Sequence, residues 1–588
     1  MTGSNLAREI QQIVEIDVPF CALTYGVAPC GAVLGETGSA KCFGLRKTCQ
    51  SPEDFTPEVK TLRYARNTAG LPRGFKVYPA LLSVSTDPAE VNLGNAKDSA
   101  SFGKRARLTI SLRDFIDADI GLDPYHLGRR DGSALASGIG YKPEERGTHF
   151  GRLRARWPFY EGASVRIREG FVGDALEDMW TRHAILSEWQ GAGSGTEVTW
   201  VVKDILDLVD DEKNLCPKPS NGVLGGDVSA SATDFTLVPE GVGAEYDVGG
   251  RASIGNEIVT FTRSGDDITL TARGVDGTEA DDHAEGDLFQ QSFRVEDASL
   301  QDVAKSIMVT YSGVPESWIP DAKWADEAGR WLAGTRLTTT IPRPVGTRTL
   351  MNELAELGVF WWQDDHLQEI SMRANRPLDI DEEPAELSDR ANIIAGTADQ
   401  EDMPKQRLTA VLFWHGIRDY FGSVSRGSNF NRCTVAGGQQ FEEDRIRQIY
   451  TRWLGRKGDE TVAWPVGSRL MARFEDLPVR VSFDLDWKDR ELISPGSLHV
   501  LDTRAIQDAD GSNLQAEVQV RAIEETVPGH RFTVDVETFV FSGRFGFTML
   551  DTAPLYDDAT DQEKREGMFA MDETIGTFPD GTGPYLAW

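Results

Sequence analysis

Apolar and polar residues alternate without error over residues 479–487, where Val479, Val481, Phe483, Leu485 and Trp487 interleave with Arg480, Ser482, Asp484 and Asp486. A period of two puts each set on its own side of a pleated strand, so this stretch predicts a half-buried strand. SVRIREGFV at 164–172 has the same pattern. EIVTFTR (257–263) and ITLTARG (268–274) flank Ser-Gly-Asp-Asp and read as a hairpin. Residues 516–527 and 531–539 form a second pair around Pro528-Gly529. Elsewhere the period lengthens. Leu300, Val303, Ala304, Ile307 and Met308 follow the i, i+3, i+4, i+7, i+8 template of a helix, with Ser299 and Asp302 placed to cap it. A second helix over Thr349–Leu357 stops at Gly358 and leads into VFWWQ, a polar turn at Asp364, Asp365 and His366, and a return strand LQEISMRA. Helices are also expected at 4–14, capped by Ser4 with Leu6, Ile10, Ile13 and Val14 on one face, and at 202–209. One more is expected where Ile446, Ile449, Tyr450, Trp453 and Leu454 share a face.

A chain of 588 residues holds several cores at ordinary domain sizes. Residues 217–257 are poor in charge and rich in Gly, Ser and Pro, which marks a boundary or an inserted loop. The resulting division is a cysteine-rich module at 1–55, a β-barrel domain at 56–216 and an inserted small β domain at 217–293. An α/β domain at 294–390, a second β-barrel domain at 391–550 and an extended acidic tail at 551–588 complete it. The expected fold class is α+β, mainly β: several antiparallel barrels or sandwiches with helices between them. Half-buried strands leave edges that need covering, often by a neighbouring subunit. No repeat of solenoid type is present.

The formal charge of −32 argues against general nucleic-acid wrapping, because a phosphate backbone needs a cationic counterpart. The region 101–170 departs from this, with 13 Lys/Arg against 9 Asp/Glu, including Arg152, Arg154, Arg156, Arg166 and Arg168. Solvated strand faces are the expected explanation, with a polyanion surface as the alternative. No apolar run reaches the length of a bilayer span, and MTGSNLAREIQQIVEI lacks the basic and apolar regions of a secretory signal. Folding in a reducing cytoplasm is therefore expected, which favours metal ligation by cysteines over disulfides.

Four of the six cysteines fall in the first fifty residues, as Cys21, Cys30, Cys42 and Cys49, with spacing C-x8-C-x11-C-x6-C. Four thiolates within reach of one another can hold a zinc ion or an iron–sulfur cluster. Structural zinc sites usually take two ligands from one tight C-x2-4-C knuckle, which is absent here. A cubane has four irons to ligate, so each cysteine can arrive on its own loop. The spacing therefore ranks iron–sulfur above zinc, against four ordinary thiols or two disulfides. Lys41, Arg46 and Lys47 are placed to offset thiolate charge, and Phe20, Tyr25 and Phe43 to exclude water.

The stretch CALTYGVAPCGAV…GSAKCFGLRKTCQ resembles the cysteine module of tail-tip proteins in long-tailed, lambda-like phages and in phage-derived gene transfer agents. That module also has a C-x8-C pair followed by a C-x6-C pair, with a longer gap between them, and carries a 4Fe–4S cluster. The resemblance assigns the cluster to Cys21, Cys30, Cys42 and Cys49. GNEIVTFTRSGDDITLTARGVDGTEADDHAEGD (255–287) is similar to the RG-x2-GT…H-x2-GD segment of tail hub proteins, as is the helix followed by FWWQDDHLQEISMRA. The resemblance implies a non-enzymatic, trimeric baseplate or tail-tip hub closing the distal end of the tail tube. Implied partners are the distal tail protein ring, the tape measure protein and central fibre or tip proteins. DNA would pass transiently, with no stable membrane insertion, and the site of action would be the virion tail tip after assembly in the host cytoplasm.

Other motifs add no chemistry. His283 sits among Asp281, Asp282, Glu285 and Asp287, but one histidine in such a loop reads as a structural turn. His126, His149 and His183 are isolated, and there is no H-E-x-x-H, G-x-S-x-G, P-loop or dinucleotide fingerprint. Cys216 and Cys433 read as free thiols, and one of Trp361 and Trp362 is expected in a core. The rival functions are an iron–sulfur redox protein, which should show a second cofactor motif and a substrate pocket, and a zinc-stapled adhesin.

Overall fold

The computed structural model describes residues 9–538 apart from 34, 39–40, 73, 94–102, 132–141, 192–195, 377, 380–381, 437–443, 456–459, 476–477 and 508–509. Beyond 538 it describes 545–546, 554, 558, 560 and 585–586. The expected acidic tail thus lies almost wholly outside the described residues. The architecture is mainly β with several sheets and interspersed helices, the α+β class expected.

The first unit is built on β1 (Ile10–Cys21), β2 (Pro57–Ala65), β3 (Leu81–Asp87) and β4 (Arg107–Arg113). Helices α1 (His126–Asp131) and α2 (His149–Arg156) follow, then β5 (Ser164–Phe171), β6 (Trp180–Gly191) and β7 (Glu197–Lys203). They form one antiparallel sheet in the order β2-β1-β5-β6-β7-β4-β3. Val14, Ile16, Val18 and Phe20 of β1 alternate into a core with Tyr64, Ile110, Phe150, Val165, Ile167 and Trp200. Residues 22–56, which hold the cysteines, are the connection from β1 to β2.

Here the sequence period misleads. Residues 10–14 are strand and not helix. As a central strand β1 is buried on both faces, Gln11, Gln12 and Glu15 included, and the spacing of Ile10, Ile13 and Val14 also satisfies a helix. The helix expected at 446–454 likewise gives way to a strand, here with Ile446 exposed and Ile449 buried. Ile446–Tyr450 is a strand parallel to Ala410–His415, and Trp453 and Leu454 beyond it are fully buried. At 202–209 the chain ends β7 and makes only the short helix Asp207–Asp210, although Ile205, Leu206 and Val209 are buried as the pattern requires.

The second sheet has six strands, with Glu257–Ser264 and Asp267–Ala272 as the expected hairpin and its own core around Phe261 and Phe289. The largest core joins helices Leu300–Ser306, Asp321–Trp331 and Thr347–Ala355 and the hairpin Val359–Asp364/Glu369–Ala374. It extends to the three-stranded sheet around Ala410–His415 and helix Glu460–Phe474. Ser299 caps its helix by accepting from the Asp302 amide, and Trp361 is 2% exposed while Trp362 is half-buried, as expected. A last six-stranded sheet contains Val479–Asp486, Leu498–Gln507, Asn513–Val527 and Arg531–Thr538. It touches the first unit through the Arg521 carbonyl, which accepts from the Val91 amide at 2.9 Å, and the Arg521–Glu90 ion pair at 2.9 Å.

Part of the basic stretch turns inward. Arg152 and Arg156 on α2 both reach the buried Asp119, at 2.8 and 2.7 Å, while Arg166 and Arg168 on β5 pair with Glu15 at 3.0 and 3.2 Å. These four arginines neutralise buried carboxylates. Arg107, Arg113 and Arg130 are exposed, as solvated faces require, and Arg154 donates to the Gly191 carbonyl.

Candidate metal centre

The β1–β2 connection folds with little regular structure, a single 3-10 turn at Arg46–Thr48. Cys21 ends β1, and its amide donates to the Gly44 carbonyl at 2.7 Å, which folds the second half of the segment back onto the strand. Gly44 is needed there: its φ is +73°, and a Cβ would stand 3.0 Å from the Pro124 ring. Cys30 closes a turn onto the Val27 carbonyl at 2.9 Å. Cys42 Sγ accepts from the Gly44 amide at 3.5 Å, and Cys49 Sγ donates to the Ser51 carbonyl at 3.1 Å. Asp54 pins the outer edge by accepting from the Gly31 amide at 2.8 Å and from Ser51 Oγ at 2.7 Å.

All four predicted cysteines gather at this end of the sheet. Cys42 is buried and packs with Tyr25, Ala32, Cys30 and Tyr125, while Cys21, Cys30 and Cys49 are half-buried. Burial pushes the Cys42 thiol up to about 11, against the Gly44 hydrogen bond, and the nearness of Cys49, Cys21 and Cys30 adds to the rise. Burial likewise raises Cys49, with Cys21 and Cys30 contributing. Burial, aided by the neighbouring sulfurs, thus disfavours the thiolate at Cys42 and Cys49, and a bound cation would reverse that preference. All six cysteines are free thiols, so the disulfide alternative is not realised. No three His, Cys, Asp or Glu side chains among the described residues are arranged to hold a metal ion. The donor chemistry, four soft thiols, fits a thiolate-bound centre.

Second-layer residues come from far along the chain, where no motif flagged them. The Tyr25 amide donates to Tyr125 Oη at 2.8 Å across 100 residues. Arg129, fully buried on α1, donates to the Cys42 carbonyl, pairs with the buried Asp123 and lies 4.3 Å over the Phe43 ring. Arg156 covers the same ring at 3.9 Å. Tyr25 packs with Cys42 as expected, whereas Phe43 lies under Arg129 and Arg156 and Phe20 belongs to the sheet core.

The remaining candidates are structural. His283 Nε2 donates to the Glu257 carboxylate at 2.9 Å, and Arg273 pairs with the same carboxylate at 2.7 Å, which ties the loop to its hairpin. His149 bridges Tyr64 and Asp117 at 3.0 Å each in the first core. Cys216 is buried and Cys433 half-buried.

No protein-family model matches this chain, and no curated protein does. Among solved structures, a tail protein from Neisseria meningitidis is similar with a TM-score of 0.35 at 10% identity, over 77% of this chain and 96% of that one. A 43 kDa tail protein of prophage MuSo2 from Shewanella oneidensis is similar with a TM-score of 0.34 at 11% identity, over 78% and 97%. A chain of a native gene transfer agent virion is similar with a TM-score of 0.16 at 13% identity, over 49% and 82%.

Proposed function

We propose that this chain is a structural, non-enzymatic protein of a phage-like virion tail. In this reading it is the tail-tip or baseplate hub that closes the distal end of the tube, adapts it to three-fold symmetry and takes part in DNA delivery. It would act as a homotrimer in contact with the distal tail protein ring, the tape measure protein and the central fibre, and DNA would pass it transiently. No helix among the described residues is long and apolar enough to cross a membrane.

Cys21, Cys30, Cys42 and Cys49 would hold a 4Fe–4S cluster whose work is to staple residues 22–56. The observation that carries this reading is the gathering of four thiols at one sheet end, on the residues that bear the resemblance to tail-tip modules. Zinc would draw its sulfurs to about 2.3 Å from one ion, whereas a cubane spreads its thiolates over four irons. The β-rich, multi-sheet architecture supports an assembly role.

The test is anaerobic purification with iron and sulfide assay, joined to electron microscopy of particles carrying Cys21→Ser. The expected result is about four irons per chain in a brown protein, and variant particles without a proper tip. Stoichiometric zinc in a colourless protein would overturn the cluster, and normal infectious particles from the variant would overturn its structural role.

A further inference from the structure

The strand register of the first sheet sends its two long connections out at one end. β1 leaves at Cys21 opposite Pro57, β4 leaves at Arg113 opposite Glu197, and β5 enters at Ser164, next to the pair Val165–Ile16. Residues 22–56 and 114–163 therefore share that end, tied together by the Tyr25–Tyr125 and Arg129–Cys42 hydrogen bonds. Among the described residues fourteen large apolar side chains are exposed, and six of them fall in these 85 of the 588 residues. They are Val27 and Val33 on the cysteine segment, Ile116 and Ile120 before α1, Leu127 on α1 and Phe159 after α2. One exposed apolar side chain is ordinary, whereas a group gathered at one end marks a contact surface.

Shape and charge decide what the surface fits. Ile116, Leu127 and Phe159 are 68%, 67% and 76% exposed, so each projects by itself from its own loop or helix. A rigid protein partner needs a matching pocket for every such projection, while fluid hydrocarbon accepts them at any spacing. The two segments hold ten Lys/Arg against eleven Asp/Glu, close to neutral in a chain of formal charge −32. Arg129, Arg152 and Arg156 are paired inside with Asp123 and Asp119. Arg46, Lys47 and Arg130 stay exposed among Glu36, Glu144 and Glu161. Both signs around an apolar end complement a zwitterionic headgroup layer over hydrocarbon. The acidic remainder of the chain is screened from that layer beyond about 8 Å at physiological ionic strength.

We propose that this end of the first sheet is a lipid-binding surface that enters the interface of a phospholipid bilayer shallowly and reversibly. The six apolar side chains supply the buried contact, and Arg46, Lys47 and Arg130 meet lipid phosphates. Apolar burial scales with area and is insensitive to screening, so the binding holds on neutral lipid and in high salt. The surface requires neither a metal centre nor a tail, so vesicle binding tests it apart from the function proposed above.

The test is flotation of the full chain with phosphatidylcholine vesicles at about 0.15 M salt. The chain should float with the vesicles, and including about one fifth phosphatidylglycerol should change the partition coefficient less than about 3-fold. Leu127→Ser and Phe159→Ser together should lower it about 100-fold, about tenfold for each apolar side chain. Both positions are exposed, so the fold is retained. Val248→Ser, 73% exposed beside the second sheet, should stay within about 2-fold of the natural chain. A chain that never floats overturns the lipid surface, as does one that binds only the charged vesicles and leaves them at about 1 M salt. Equal loss in Val248→Ser overturns its location. Self-association without flotation, abolished by the Leu127 and Phe159 substitutions, would also overturn it and give this end to a second copy of the chain.

Discussion

The cysteine segment 22–56 and the C-terminal sheet are held by different forces. In the sheet, Val481, Phe483, Leu485, Val518, Val520, Phe532, Val534 and Val536 are all at most 1% exposed and form one continuous core. Among the described residues of the segment the buried apolar side chains are Tyr25, Ala32, Cys42 and Leu45, and the chain is held by turns, carboxylate contacts and a distant arginine. Apolar burial grows with area, so a pleated sheet stabilises itself, while a loop this poor in core needs fastening from outside. The docking arginine is one such fastener, and the inorganic centre proposed above would be a second.

The contrast predicts substitutions with separable effects. The largest is Phe483→Ala, which should cost about 4 kcal/mol of the stability of the C-terminal unit, read in denaturant unfolding. Metal content should stay unchanged, and its loss would show that the two regions are not independent. Next is Arg129→Met. It leaves Asp123 buried without its partner and releases the Cys42 carbonyl, a loss of about 3 kcal/mol. The expected readout is rapid proteolysis confined to residues 22–56 with the C-terminal sheet intact, whereas global unfolding would erase the distinction. The smallest is Tyr125→Phe. It removes the acceptor of the Tyr25 amide and should weaken the segment by about 1 kcal/mol, visible as faster amide exchange at Tyr25 alone.

Strands that face water on one side were legible in the sequence. Residues 164–172, the 257–274 hairpin and 479–487 all sit where their alternation puts them. Residues 10–14 and 446–450 were not, because Ile10, Ile13 and Val14, and likewise Ile446, Ile449 and Tyr450, recur at spacings a helix also accepts. The cysteine spacing singled out four thiols that the fold gathers at one end of the first sheet. It gave no sign of Tyr125, Asp123 or Arg129, which reach the segment only because the loop before α2 folds across the end of the sheet.

By itself, the sequence determined the mainly β character and the hairpins. These follow from side-chain period and turn chemistry, which act over a few residues. Only the tertiary structure decided that Arg152, Arg156, Arg166 and Arg168 meet buried carboxylates and that an arginine anchors the cysteine loop. Such pairings join residues far apart in the chain. They exist because sheet packing removes water from charged groups, and each buried charge must then find its partner wherever the fold brings one.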